Sequence, residues 1–287
     1  MNISAFKKII AVSAVLALTA ILIFPTISHT TISAKEHEPE AFEFTAPSGV
    51  FVVGEELVYN ISYSVFDLGM LKIQILDTVS KGGVTAYRGK IFMDSYSGVP
   101  FVSLHMVFYS EMTNLPVSLF FMSHNTAKPD AMDYAKYSFD YPNKKVYYET
   151  GVEPKNIIYK KGDDELTEPQ QDGLSLFFYA RTHVHQVNKE LVPTYLNEKS
   201  NITRFNFMNK KGSQEIDAIK YPVETIEFDG VMDFTGIFGL TGYFQGYFSN
   251  DDAAIPIVAK MKVIIGSARV ELIKWNRPGW IPPKAKL

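Results

Sequence analysis

The sequence predicts a mainly β protein: a single strongly curved antiparallel sheet, an open or partly closed barrel, with one short helix packed in its concave side. Three observations predict it. About a dozen short stretches alternate apolar and polar residues between turn residues, the period of two expected of half-buried strands. One stretch, residues 172–181, has clear helical character and is apolar on both faces, so it belongs inside the fold rather than on its surface. Phe and Tyr, at 21 and 16 copies against two Trp, suit half-buried strand positions. A two-sheet sandwich is the alternative arrangement of the same strands.

With 287 residues, 46% hydrophobic and 21% charged, the chain can bury a sizeable core. The formal charge is −3, and two of the lysines, Lys7 and Lys8, precede the body, which is therefore more acidic still. That argues against nucleic acid as a partner, because replacing its counterions takes a basic face. There is no cysteine, which excludes disulfides, thiolate metal sites, cysteine nucleophiles and a lipid-modified N-terminal cysteine. Lys7 and Lys8 are followed by an uncharged apolar run over residues 9–24, the layout of a secretory signal, with Ser28, Ser33 and Ala34 as small residues near a cleavage point. A retained membrane anchor is the competing reading. Either way the body is exported, to a periplasm or envelope. Residues 1–34 are thus a signal peptide or anchor, 35–48 a linker, 49–276 a single β-rich domain and 277–287 a Pro-rich tail.

In order, the first strand is expected over residues 51–65, where Leu57, Tyr59, Ile61, Tyr63 and Val65 alternate with Val58, Asn60, Ser62 and Ser64. A turn at Asp67, Leu68 and Gly69 leads to a second strand through Leu71, Ile73 and Ile75. Gly82 and Gly83 mark the next turn and residues 87–96 a third strand. Residues 101–112 fit a strand or a short helix. Strands follow at 116–122, 135–141 and 146–149, and the charged run 160–171 is expected as a surface loop. The helix comes next: Asp172 caps its first turn by accepting from a free backbone N–H, and Arg181 complements the negative end of its dipole. At about ten residues it is too short to hold alone and depends on packing. Strands are then expected at 191–196, 203–208, 223–228, 242–249, 255–265 and 268–275, with turns at Gly212, Gly230, Asp251–Asp252 and Gly266. The prolines of the tail keep it from continuing a ladder.

Three patches in this order resemble the exported bacterial family called domain of unknown function 3108: Phe51, Gly54, Glu55, Leu57 and Tyr59 at the opening strand; Asp172, Ser175, Tyr179 and Arg181 at the helix; and Asp251, Ile255, Pro256, Gly266 and Leu272 at the closing hairpin. The resemblance implies a secreted or envelope β protein whose fold looks like the unclosed barrels of periplasmic lipoprotein carriers, and it implies no reaction or ligand. The chain departs from the pattern at Gly173 and in an aromatic-rich insert over residues 234–248.

Glu55, Asp172 and Arg181 form the candidate structural polar cluster. An arginine carried inward by the helix needs a carboxylate, and Glu55 is the expected partner. The run from Phe234 to Phe248 alternates glycine with aromatic rings, and Phe234, Phe238, Tyr243 and Tyr247 are the candidate ligand wall. The packing account of the same run is that its rings fill the gaps left by glycines in a bent sheet. His183 and His185 would share a face if extended, but no third ligand stands at metal spacing, so neither metal nor cofactor is expected. Ser175 lacks a nucleophile elbow and reads as a helix-capping residue. Asp163–Asp164 and Asp251–Asp252 read as turn aspartates rather than as a catalytic pair. The expectation is a non-enzymatic envelope protein that holds an apolar or amphipathic, lipid-like molecule. An assembly factor binding protein through a sheet edge, and a hydrolase with a carboxylate site, are the rivals.

Overall fold

The computed structural model describes residues 49–81, 83–99, 103–126, 128, 130–236, 241–262 and 267–286. The expected signal or anchor and the linker, 1–34 and 35–48, lie outside them, as do Gly266 and Phe238. The first half of the chain is a meander of β1 (Glu56–Tyr63), β2 (Phe66–Lys81), β3 (Val84–Ser95), β4 (His105–Thr113), β5 (Ser118–Asn125), β6 (Met132–Asp140), β7 (Lys145–Glu153) and β8 (Ile157–Glu165). The helix α1 (Ser175–His183) follows. A second meander comprises β9 (Val187–Tyr195), β10 (Ser200–Ile216), β11 (Ile219–Met232), β12 (Gly242–Ser249), β13 (Pro256–Lys262) and β14 (Ser267–Asn276).

All fourteen strands belong to one antiparallel sheet, because β14 pairs with β1 and joins the two meanders edge to edge. The order leaves β8 and β9 as the edges, with α1 as the link between them. These edges are brought together without being paired. The Tyr195 hydroxyl donates to Asp164 at 2.6 Å, and Gln171, in the segment leading to α1, forms a parallel bridge with Thr194. A sheet whose first and last strands are fastened this way is rolled, and it is a single rolled layer rather than a sandwich.

The helix sits inside the roll. Leu174 and Phe178 are completely buried, and Phe178 stacks on Phe51 with ring centroids 4.8 Å apart. On β3, Gly89 lets the helix approach: a Cβ there would lie 2.8 Å from Cδ2 of Leu174. Both faces of α1 are enclosed, as expected of a segment without a polar side.

Several local expectations change. The first turn is Ser64–Val65, with Ser64 at φ 56°, and Asp67 to Gly69 already lie in β2. Gly69 is there for proximity, since a Cβ would meet the Asp94 carbonyl oxygen at 2.4 Å. Gly212 and Gly230 are not turns but interior residues of β10 and β11. Residues 101–112 resolve as strand β4 over their described part from His105 onward. The expected loop 160–171 begins as the edge strand β8, which is exposed over most of its length. An edge strand with polar residues on both faces loses the alternation that identifies a strand. The tail does pair once, through an antiparallel bridge between Val223 and Lys284.

Candidate functional site

Two regions of the interior differ in chemistry, a charged closed end and an apolar cavity. At the closed end, Glu55, just ahead of β1, receives Nη1 and Nη2 of Arg181 on its two oxygens at 2.6 and 3.1 Å. The same Arg181 Nη2 donates to the Ala253 carbonyl at 2.9 Å. Arg277, directly after β14, donates to the same carboxylate and to the Gly49 carbonyl. The Glu55 and Arg181 side chains are shut off from solvent and that of Arg277 nearly so. One carboxylate therefore joins the start of β1, the end of α1, the β12–β13 connection and the tail. Members of all three patches that carry the family resemblance meet here: Phe51 under Phe178, Glu55 on Arg181, and Asp251 accepting from the backbone N–H of Ala253 and Ala254 and from Trp280 Nε1.

Asp172 stands apart from this cluster, contrary to the grouping expected from sequence. Its Oδ1 accepts from the backbone N–H of Leu174 and Ser175 at 2.7 and 2.9 Å, and Ser175 Oγ accepts from the Asp172 N–H at 2.7 Å, a reciprocal cap. The other oxygen takes the Ser110 and Ser118 hydroxyls from β4 and β5. Burial pushes this carboxyl above the usual carboxylate range, against the downward pull of those four hydrogen bonds. At a pH between the unfolded value and the raised folded one, the folded chain holds a proton that the unfolded chain has released. The stability this group contributes is complete below about pH 4 and is lost as pH rises through the raised folded value. Asp172→Asn removes the titration while keeping an acceptor for the cap. Urea midpoints from pH 4 to 7 are expected to show the wild type losing stability relative to this variant as pH rises; a constant or growing advantage would contradict it.

The cavity lies between α1 and a contiguous run of strands from β3 through β1 and β14 to β10, and measures about 350 Å³. Its wall is almost wholly apolar. The register explains why space remains. Directly paired residues share a face, so one row runs Tyr63, Ala268, Met261, Phe244, Gly230, Phe205 across the concave side. The next row runs Gly69, Ile61, Val270, Ala259, Gly246, Phe228. Ala268 in the first row and Ala259 in the second are short side chains on the wall, and from the helix side Gly173, Leu176, Phe177 and Ala180 face the rows. Larger side chains at Ala268 and Ala259 would fill part of the volume.

On β1 the lining residues are Tyr59, Ile61 and Tyr63, while Leu57, next on that face, is sealed and Glu55 lies beyond it in the ion pair. Tyr59 thus marks the deep end. Its buried hydroxyl has no hydrogen-bond partner among the described residues, and burial raises its pKa, keeping it neutral.

The aromatic run contributes to this wall through different residues from those expected. Phe244 and Phe248 line the cavity, whereas Tyr243 and Tyr247 stand on the opposite face of β12, with the Tyr243 hydroxyl on Asp229 and Lys260 over the Tyr247 ring. Phe234 is buried in the core without lining the cavity. The rings also cover glycines: a Cβ at Gly246 would lie 2.3 Å from the Phe228 ring, and one at Gly230 2.4 Å from that of Phe244. The strand alternation could have found this, since Tyr and Gln fall on one parity of 242–248 and Gly and Phe on the other. Arg277 carries no comparable signal, lying 222 residues from its partner.

The other singled-out residues do not converge. His183 stacks on Tyr179, with its Nδ1 2.8 Å from the Tyr179 carbonyl oxygen, and His185 lies 3.0 Å from that of Asp251. Among the described residues no group of three or more His, Cys, Asp or Glu could hold a metal ion. Asp163 pairs with Lys145, and Asp164 with Tyr195. No helix among the described residues is long and apolar enough to cross a membrane.

A rolled, unclosed antiparallel sheet with one internal helix and an apolar cavity defines a barrel-like β protein. The chain belongs to the family described as protein of unknown function DUF3108, whose model matches residues 58–273. Similar solved structures include the β-barrel-like protein of domain of unknown function DUF1849 from Brucella abortus, with 11% identity, a TM-score of 0.51, and coverage of 79% of this chain and 99% of that one. Another is a protein with a YmcC-like fold from Bacteroides fragilis, at 8% identity and a TM-score of 0.32, covering 81% and 100%. The first likeness shows the fold alone. A search of curated proteins gives no match.

Proposed function

We propose that this protein is an exported, non-enzymatic binder that holds one apolar or amphipathic, lipid-like molecule in the cavity beneath α1. The observation that carries this reading is the apolar cavity itself, where the short side chains of Ala268 and Ala259 leave space among larger rings and aliphatic residues. A volume of about 350 Å³ falls at the lower end of small-molecule sites and suits a single chain. The N-terminal pattern supports export. The Ser175 hydroxyl and the Asp172 and Glu55 carboxylates are committed to capping and pairing, and Tyr59 is held neutral, so the interior offers a surface for burial.

Native mass spectrometry of the full chain purified from its own source, followed by organic extraction, tests the reading. A stoichiometric apolar molecule released on denaturation is the expected result, and an empty chain that takes up no fluorescent fatty acid would refute it. A second reading, protein binding through a sheet edge, rests on β8, where Ile157, Ile158 and Tyr159 are exposed on an edge strand that pairs only with β7. A stably co-purifying partner chain without a small molecule would favour it.

A further inference from the structure

The cavity mouth carries an apolar lip that the binding reading leaves unexplained. Phe66 pairs with Tyr63 across the β1–β2 hairpin, so the two rings stand on the same face. Tyr63 lines the cavity, while Phe66, one strand further along the same row, is 67% exposed and its neighbour Val65 is 85% exposed. Turns normally carry polar residues, and this hairpin exposes an apolar side chain in its turn, Val65, and another at the first residue of β2, Phe66. Leu104, also exposed, lines the cavity from the approach to β4, and Tyr96 lies beside this hairpin through its N–H on the Leu68 carbonyl and its hydroxyl on Asn60. Asp67, the charge next to the pair, is tied back by the Asn60 amide. The exposed patch is therefore continuous with the wall of the cavity.

Resting on the binding reading above, we propose that Val65 and Phe66 enter the surface of a lipid bilayer, and that the ligand passes between bilayer and cavity across this lip without crossing water. The argument is one of phase. An apolar molecule that fits this cavity has its reservoir in a lipid phase, and each methylene moved from there through water adds to the cost of transfer. Seating an exposed phenyl ring in the acyl boundary is favourable, because it takes apolar surface out of water. A protein that delivers through water has no need of such a lip, whereas one that delivers by contact needs apolar surface at the mouth.

The experiment loads the full chain with an anthroyloxy-labelled fatty acid and follows transfer to phosphatidylcholine vesicles containing a quencher, for wild type and for Val65→Ser/Phe66→Ser. For the wild type the transfer rate is expected to rise with vesicle concentration. The variant should keep the wild-type affinity for the probe in solution, transfer at a rate independent of vesicle concentration, and run about tenfold slower at high vesicle concentration, the effect of losing one buried ring from the contact. A variant with wild-type concentration dependence overturns the proposal. So does a variant with weakened solution affinity, which would make the pair part of the binding site. A wild-type rate independent of vesicles, together with self-association that the variant loses in sedimentation, overturns it in favour of a contact between copies. Failure of the wild type to bind the probe at all sinks the binding reading itself, and this proposal with it.

Discussion

Glu55→Gln is expected to destabilise the fold by about 3–5 kcal/mol, the cost of leaving a buried charge uncompensated, and to lower the melting temperature by roughly 6–20 °C. The reason is the charge count at the closed end. One carboxylate faces two guanidinium groups, Arg181 and Arg277, all three withdrawn from water. Removing the carboxylate leaves two buried cations with no counter-charge. Removing either arginine leaves a neutral pair, Glu55 with Arg277 or Glu55 with Arg181. Arg181→Met and Arg277→Met should therefore each cost clearly less than Glu55→Gln. Urea denaturation of the three variants checks the order; a Glu55→Gln variant no worse than the two arginine variants would show that the contact acts through packing rather than charge.

Ala259→Phe addresses the other region. Ala259 stands in the second row between Val270 and Gly246, half-buried and facing the cavity. A phenyl ring there displaces on the order of 100 Å² of ligand contact, about 2.5–3 kcal/mol, which is about 100-fold in affinity. The fold should be unharmed or slightly stabilised, because the ring occupies space that the ligand-free chain leaves without contacts. Titration with the labelled fatty acid gives the affinity, and the urea midpoint gives the stability. Unchanged affinity with the ring in place would put the ligand elsewhere and end the cavity reading. The two variants are complementary, since Glu55→Gln weakens the fold while sparing the cavity wall, and Ala259→Phe does the reverse.

Much of the architecture was legible before any coordinates. Leu57, Tyr59, Ile61 and Tyr63 announce a strand by alternation, and the stretch from Asp172 to Arg181 announces a buried helix by lacking a polar side. A buried arginine on that helix required a carboxylate, and Glu55 is where it lies. What escaped notice escaped for identifiable reasons. Arg277 joins the same carboxylate from the far end of the chain, and no local pattern marks so distant a partner. The strand β8 looked like a loop because neither of its faces is covered. Gly212 and Gly230 looked like turns because glycine serves two needs, tight bends and close approach. At Gly230 the ring of Phe244 shows which need applies.

By itself the sequence determined that this chain forms a curved sheet around one greasy helix, because side-chain periodicity reports directly on which faces must leave water. Whether that sheet encloses a filled core or a cavity was decided only by the tertiary structure. Space arises where short side chains of neighbouring strands, Ala268 and Ala259, fall on the concave face opposite a helix that does not reach them. Register across strands depends on how hairpins close and where bulges fall, so an alanine on one strand carries no record of the glycine it will face on the next.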